Sequence, residues 1–109
     1  MGSILVVLTS PPVAPAGRQA LALADSLRSQ GHGLTLCCLQ DAAVLGSTRS
    51  PREIRPELEG LMARDVRCVV LQEDLALRGL EAGPRTATVD HAGLIALLAA
   101  DHDRVIGAL

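Results

Sequence analysis

The residues best placed to do chemistry lie close together, between positions 72 and 78. Gln72, Glu73 and Asp74 directly follow an apolar run at 66–71 that has the length and composition of a buried strand, and Arg78 follows shortly after them. In a parallel α/β sheet, binding sites form in the loops at the carboxyl ends of the strands. These four side chains are therefore candidate binding or interface residues, and we call them the rim.

The rim also contains residues that suit the ends of a short helix. Asp74 is a natural N-cap and Gly79 a natural C-cap, and this local chemistry alone favours capping over ligand binding. Glu73 and Arg78 could form an ion pair across the turn, but an exposed pair stabilises a fold by only about 0–1 kcal/mol. Stability therefore explains the charges poorly, and we predict a rim that faces a partner or a ligand and holds no nucleophile.

The three cysteines are the candidate nucleophiles. Cys37 and Cys38 are neighbours in a second predicted strand and point to opposite faces, and Cys38, nearer the carboxyl end, is the better candidate for a catalytic thiol. A buried, inert Cys38 is the favoured interpretation, because a reactive thiol needs exposure and a lowered pKa. Cys68 is interpreted as a small core residue. The sequence leaves open whether any of the three reacts.

No metal site and no cofactor is predicted. The cysteines lack the spacing of metal ligands, and the three histidines, His32, His91 and His102, are dispersed along the chain. The loop at 9–17 contains neither GxGxxG nor the lysine of a Walker motif, so it gives only a weak signal for nucleotide binding. We expect a rigid corner that helps to form an interface, and Thr9 and Ser10 at its start are further candidate binding or interface residues.

Composition limits the classes of protein. A chain of 109 residues predicts one domain, spanning 1–109, and its 49% hydrophobic residues include no Phe, Tyr or Trp. A net charge of −2 and the lack of aromatic stacking platforms argue against direct nucleic-acid binding. The apolar run at 4–8 is too short for a signal peptide or a membrane span. An odd number of cysteines without an export signal predicts a cytoplasmic protein with no membrane contact.

Strand and helix patterns alternate along the chain. The predicted strands are residues 4–8, 34–39, 66–71, 87–89 and 104–109. The first predicted helix has its apolar pattern at 18–30 and starts near Pro15 or Gly17. The others are a segment from near 55 to 64 and a segment capped by Asp90 that runs through Leu98. This alternation predicts a single three-layer α/β/α domain with about five mostly parallel strands. Residues 46–52 and 81–85 are predicted to be the most mobile loops.

The segment Leu-Gln-Glu-Asp-Leu-Ala-Leu-Arg-Gly-Leu at 71–80 resembles the DsrE/DsrF/DsrH-like family, and within it most closely the DsrH/TusB branch. Ile-Leu-Val-Val-Leu-Thr-Ser at 4–10 resembles the opening strand of that family, and Gly-His-Gly-Leu-Thr-Leu at 31–36 its second strand. Leu-Gln-Asp at 39–41 resembles the end of that strand in TusB-like members. The segments at 92–98 and 103–106 resemble the final helix and strand, so the resemblance covers most of the chain.

The resemblance implies a role in sulfur relay. Catalytic members carry a persulfide on a cysteine at the end of the third strand, a position that corresponds here to Leu71, and the DsrH/TusB branch departs there too. The chain is thus predicted to be a non-catalytic subunit of a sulfur-relay assembly, as in tRNA wobble-uridine 2-thiolation or intracellular sulfur oxidation. A small sulfurtransferase acting through Cys38, and a homo-oligomeric DsrE-like protein without sulfur transfer, are the alternatives.

An oligomer is predicted from hydropathy as well. The mean hydropathy of +0.33 is high for a domain of this size, whose large surface-to-volume ratio should demand more polar surface. The family resemblance implies either a homo-oligomer or a hetero-oligomer with DsrE/DsrF-like subunits.

Overall fold

A five-stranded parallel sheet forms the middle layer of the molecule. The computed structural model describes residues 2–100 and 102–108. Its elements are β1 (Ser3–Leu8), α1 (Pro15–Ser29), β2 (Gly33–Cys38), a 3₁₀ helix (Gln40–Gly46), α2 (Arg55–Ala63), β3 (Arg67–Leu71), α3 (Gln72–Leu77), β4 (Ala87–Val89), α4 (His91–Ala99) and β5 (Arg104–Ala108). The strand order is β4-β3-β2-β1-β5, and every adjacent pair is parallel. The predicted three-layer α/β architecture is confirmed.

Both faces of the sheet are apolar, as expected when helices cover parallel strands on each side. The first face packs against α1, α2 and the 3₁₀ helix, and residues of this main core include Ile4, Val6, Leu8, Leu21, Leu36, Cys38, Leu58, Leu61, Cys68 and Val70. Alternate strand positions point to the second face, where Leu5, Cys37 and Val69 are fully buried. Apolar side chains therefore fill the space on both sides of the central strands.

Helix α4 covers the second face. The chain steps from β1 through β4 in one direction across the sheet and then returns to the opposite edge at β5. Right-handed crossovers consequently place α4 on the side away from α1 and α2. None of its residues is buried, and Ile95 and Leu98 are 66% and 43% exposed. Even so, no helix within residues 2–100 and 102–108 has both the length and the apolarity needed to cross a membrane.

Local sequence signals set the helix ends. Helix α1 begins at Pro15, one of the two residues predicted near its start, because proline is well suited to the first helical position. Pro56 lies in the first turn of α2 for the same reason. The Asp90 carboxylate accepts a hydrogen bond from the Gly93 N–H at 2.7 Å, which confirms it as the N-cap of α4. Gly31 takes a φ of +91° directly after α1, where a left-handed residue ends the helix.

The two loops predicted to be mobile are instead joined to each other. Ser47 and Ala82 form an isolated antiparallel bridge. The Thr48 N–H donates to the Glu81 carbonyl at 2.9 Å, and the Gly83 N–H donates to the Gly46 carbonyl at 2.8 Å. Backbone groups that would otherwise need water are thus paired within the protein.

Candidate functional site

The candidate residues lie at the carboxyl edge of the sheet. Thr9 and Ser10 follow β1 and are half-buried, and Gln72 begins α3 directly after β3 and is exposed. Because β2 separates β1 from β3 and neighbouring strands lie about 4.8 Å apart, these two groups are separated by roughly 10 Å. Within the part of the chain that the structure describes, no hydrogen bond joins Thr9 or Ser10 to the rim. Thr9 and Ser10 therefore lie at the same edge of the sheet as the rim but do not form one cluster with it.

Asp74 connects the rim to the turn that follows β2. Its carboxylate accepts a hydrogen bond from the Gln40 N–H at 2.7 Å. Gln40 has a φ of +53°, a left-handed conformation that is uncommon for residues other than glycine. The prediction that Asp74 is an N-cap is wrong, because α3 begins at Gln72 without an intervening loop and Leu71 holds the N-cap position. Asp74 therefore stabilises a distant turn rather than its own helix.

Arg78 is the centre of the charge cluster. Its guanidinium lies 3.1 Å from the Asp41 carboxylate and 3.6 Å from that of Asp74, and it donates to the Asp74 carbonyl at 3.2 Å. The Asp74 side chain is only 13% exposed, whereas that of Asp41 is 65% exposed. Arg78 thus links α3 to the 3₁₀ helix, because it contacts Asp74 on the first and Asp41 on the second. Gly79 follows the helix with a φ of +62°, so its predicted role at the helix end is confirmed.

The sequence suggested an ion pair between Glu73 and Arg78, but Glu73 contacts His91 instead. A Glu73 oxygen lies 3.1 Å from His91 Nε2, and both side chains are more than half exposed. This contact carries a full ion pair only when the imidazole is protonated. Since His91 is the first residue of α4, the rim is continuous with the start of that helix.

Leu71 occupies the end of β3, where the family resemblance expects a catalytic cysteine. Its side chain is 6% exposed and points away from the face that holds Cys68. A hydrocarbon side chain offers neither a nucleophile nor a proton donor. The rim therefore surrounds an inert position.

All three thiols are free and buried. Cys38 Sγ lies 3.9 Å from Cys68 Sγ, across the β2–β3 pair. The hydrogen bond between them and burial both raise the pKa of Cys38. The same hydrogen bond lowers the pKa of Cys68, against the opposing effect of burial. Burial, with a smaller effect from Cys68, raises the pKa of Cys37 to about 11. The sequence-based candidate thiol, Cys38, is thus protonated at neutral pH and 0% exposed.

Sequence reasoning missed three residues of this edge. Gln40, Asp41 and His91 each contact a rim residue, although they come from other elements. In the sequence, the Leu-Gln-Asp segment at 39–41 resembles only the end of a strand, and His91 is one of three dispersed histidines. Across 2–100 and 102–108, no group of three His, Cys, Asp or Glu side chains could hold a metal ion.

The fold and its edge define a small parallel α/β protein whose charged carboxyl edge has no exposed thiol. No family model matches the chain, and no curated protein matches it. Its structure is similar to that of the YchN protein from E. coli, with a TM-score of 0.81 and 25% identity over 98% of this chain and 99% of that one. It also resembles MTH1491 from Methanobacterium thermoautotrophicum, a protein of unknown function, with a TM-score of 0.65 and 12% identity over 94% and 96%. These neighbours suggest the DsrE-like fold family.

Proposed function

We propose that this chain is a non-catalytic subunit of a cytoplasmic sulfur-relay assembly. The observation that carries the proposal is Leu71, which stands at the end of β3 in place of a nucleophile while the rim around it is charged and ordered. A persulfide carrier needs a thiolate that can meet donor and acceptor. The chain has the charged rim around Leu71 but no thiolate there. This arrangement suits a subunit that binds and positions catalytic partner subunits.

The sulfurtransferase alternative is poorly supported. Cys38 is closed off from solvent and its pKa is raised, so a transfer step at this sulfur would require the core to open. Cys37 and Cys68 are also buried. Burial keeps all three thiols out of reach of a sulfur donor or acceptor in solution.

The closer assignment, to the DsrH/TusB branch, rests on the segment at 71–80 and on the absent cysteine. It implies DsrE/DsrF-like partner subunits and a pathway of tRNA wobble-uridine 2-thiolation or intracellular sulfur oxidation. The alternative is a homo-oligomeric DsrE-like protein without sulfur transfer.

Persulfide transfer tests the proposal directly. The native protein is incubated with a persulfide donor, and bound sulfur is measured by mass spectrometry of the intact chain. We expect no added sulfur in the native state and slow labelling of all three thiols by iodoacetamide near neutral pH. Sulfur loading that is abolished by Cys38→Ser would contradict the proposal and establish the sulfurtransferase alternative. Cys37→Ser is the matched control, since the two thiols are adjacent.

Co-purification tests the partner half of the proposal. The tagged chain is expressed in its own host, and captured proteins are identified by mass spectrometry. DsrE- or DsrF-like companions would support the hetero-oligomer. Recovery of this chain alone, as a multimer of itself, would favour the homo-oligomeric alternative.

A further inference from the structure

A cavity beside α2 shares no residue with the rim. It has a volume of about 680 Å³ and lies between α2 and the two joined loops at 46–50 and 83–86. This volume is within the range of pockets that hold small organic molecules. The proposed relay role does not involve it.

One polar group in the cavity wall lacks a partner. Ser50 is 6% exposed, and its hydroxyl oxygen forms no hydrogen bond with any residue that the structure describes. The neighbouring Ser47 hydroxyl, by contrast, donates to the Val44 carbonyl at 2.7 Å and accepts from the Arg49 N–H at 3.1 Å. Because buried polar groups are almost always paired in folded proteins, the Ser50 hydroxyl needs a partner from outside the chain, either a water or a bound ligand.

Two arginines give the cavity a positive charge. Arg55 and Arg85 both line it, and within 2–100 and 102–108 neither forms an ion pair, whereas Arg64 pairs with Asp25 and Arg78 with Asp41. Arg55 donates to the Ser50 carbonyl at 2.7 Å, which ties its guanidinium to the residue that carries the unpaired hydroxyl. Glu59 is the single acidic residue of the lining.

The remaining wall is largely apolar. Leu58, Met62 and Pro84 face the cavity, and Leu58 is buried while Met62 is half-buried. Such a wall accommodates a hydrocarbon body but cannot satisfy polar groups along it. Charge and apolar surface therefore occupy different parts of the same cavity.

We propose that this cavity binds a small organic oxyanion, an apolar body with one carboxylate or phosphate group. The anionic oxygens accept from the Arg55 and Arg85 guanidinium groups and from the Ser50 hydroxyl, while the hydrocarbon part packs on Leu58, Met62 and Pro84. Guanidinium groups suit this role because their planar donors match the geometry of carboxylate and phosphate oxygens.

Titration with three probes of equal chain length tests the proposal. Hexanoate, hexyl phosphate and uncharged hexanol are each added to isotope-labelled protein, and amide chemical shifts are followed by nuclear magnetic resonance. We expect saturable shifts at residues 46–50 and 83–86 with at least one anion, and binding of hexanol that is roughly tenfold weaker or absent. The stronger of the two anions then identifies the head group. No saturable shift with either anion at millimolar concentration, or equal binding of hexanol, overturns the proposal.

Two variants separate a binding role from a structural one. Arg85→Gln should weaken anion binding roughly tenfold, while Arg67→Gln, which removes an exposed arginine outside the cavity, should leave it unchanged. Ser50→Ala should weaken binding but keep or raise the melting temperature, because it removes an unpaired buried hydroxyl. Equal affinities for the Arg85 and Arg67 variants, or unchanged affinity with a lowered melting temperature for the Ser50 variant, would contradict the assignment.

Discussion

At the scale of single residues, Arg78 connects two elements by contacts that are partly exposed. Its side chain is 31% exposed, and an ion pair in such a position contributes only about 0–1 kcal/mol to folding. Arg78→Ala should therefore lower the melting temperature little, while weakening the subunit assembly that we assign to the rim. Light scattering and thermal unfolding of the same samples measure the two effects.

Arg67→Ala is the matched control for this prediction, because Arg67 is exposed and forms no ion pair with residues in the described ranges. It should leave both assembly and melting temperature unchanged. Loss of several degrees with intact assembly in the Arg78 variant would instead make the rim a purely structural corner.

Cys37 makes stability depend on pH in the alkaline range. Its pKa is about 11 in the folded protein against an ordinary value of 9.0, so its stabilising effect is complete below about pH 9 and is lost as the pH rises towards 11. Each unit of pKa shift corresponds to about 1.4 kcal/mol, so the contribution of Cys37 to the free energy of unfolding should fall by roughly 2 kcal/mol over this interval. Urea unfolding at both ends of the interval measures the change.

The composition of the chain limits the number of groups that titrate in this experiment. It contains no Lys and no Tyr, so the thiols are the only side chains that titrate between pH 9 and 11. Cys37→Ala removes the contribution of Cys37 and leaves those of Cys38 and Cys68. A variant whose stability depends on pH as steeply as that of the parent would show that Cys37 is not the cause.

At the scale of elements, two glycines in helices should respond oppositely to substitution. A Cβ at Gly17 in α1 would meet the Pro11 carbonyl and lie 2.7 Å from Pro12 Cα, and both contacts are with the backbone of a proline-restricted loop. Gly60 in α2 has no atom within 4 Å of such a Cβ. Gly17→Ala should lose about 1–3 kcal/mol, whereas Gly60→Ala should gain about 0.5–1 kcal/mol.

Chemical unfolding of the two variants and the parent protein measures both the expected loss and the expected gain in the free energy of unfolding. The substitution is the same and both sites lie in helices, so each variant serves as the control for the other. A gain of stability in the Gly17 variant would show that the loop before α1 can move away, against the packing described above.

Sequence patterns predicted most elements well because their signals are local. Alternating or continuous apolar runs marked all five strands, and Pro15, Pro56 and Asp90 lie in the first turns or at the caps of their helices. The 3₁₀ helix was missed, because its start at Gln40 takes a left-handed φ without the glycine that usually signals one. Its supporting partner, Asp74, lies 34 residues away, beyond the reach of any local pattern.

The candidate site was predicted only in outline for the same reason. The sequence identified the rim residues but assigned Arg78 the wrong partner, because Asp41 comes from an element that was not predicted. The cavity beside α2 had no sequence signal at all. Part of its lining comes from two loops that were expected to be mobile and are joined by backbone hydrogen bonds.

At the scale of the whole molecule, an apolar surface favours self-association or subunit contact. Ile95 and Leu98 on α4 are exposed, and Val105 in β5 is 51% exposed on the same side of the sheet. The Glu73–His91 contact makes this surface continuous with the rim. We predict that the protein is not a monomer, and that light scattering at micromolar concentration gives a mass above 11.3 kDa.

Ile95→Glu should shift this protein towards the monomer, because it places a charge in the surface that we expect to be buried by association. Leu23→Glu is the control, since Leu23 is 37% exposed on α1, on the opposite side of the sheet. A single species of monomer mass for the parent protein would refute the prediction. Equal disruption by both variants would place the contact elsewhere.

The position of β5 has a consequence for synthesis on the ribosome. Strand β1 lies between β2 and β5, and Ile4 is opposite Arg104. Because β1 precedes the other four strands in the chain, one of its edges stays unpaired until nearly all of the described residues have been synthesised. Until then the nascent sheet exposes unpaired backbone along β1, next to the apolar residues that flank it. Such an edge can accept a strand from a neighbouring nascent chain. Ribosomes that translate one message in close succession would therefore present the conditions for strand exchange, and an early contact with a chaperone would protect this edge until β5 arrives.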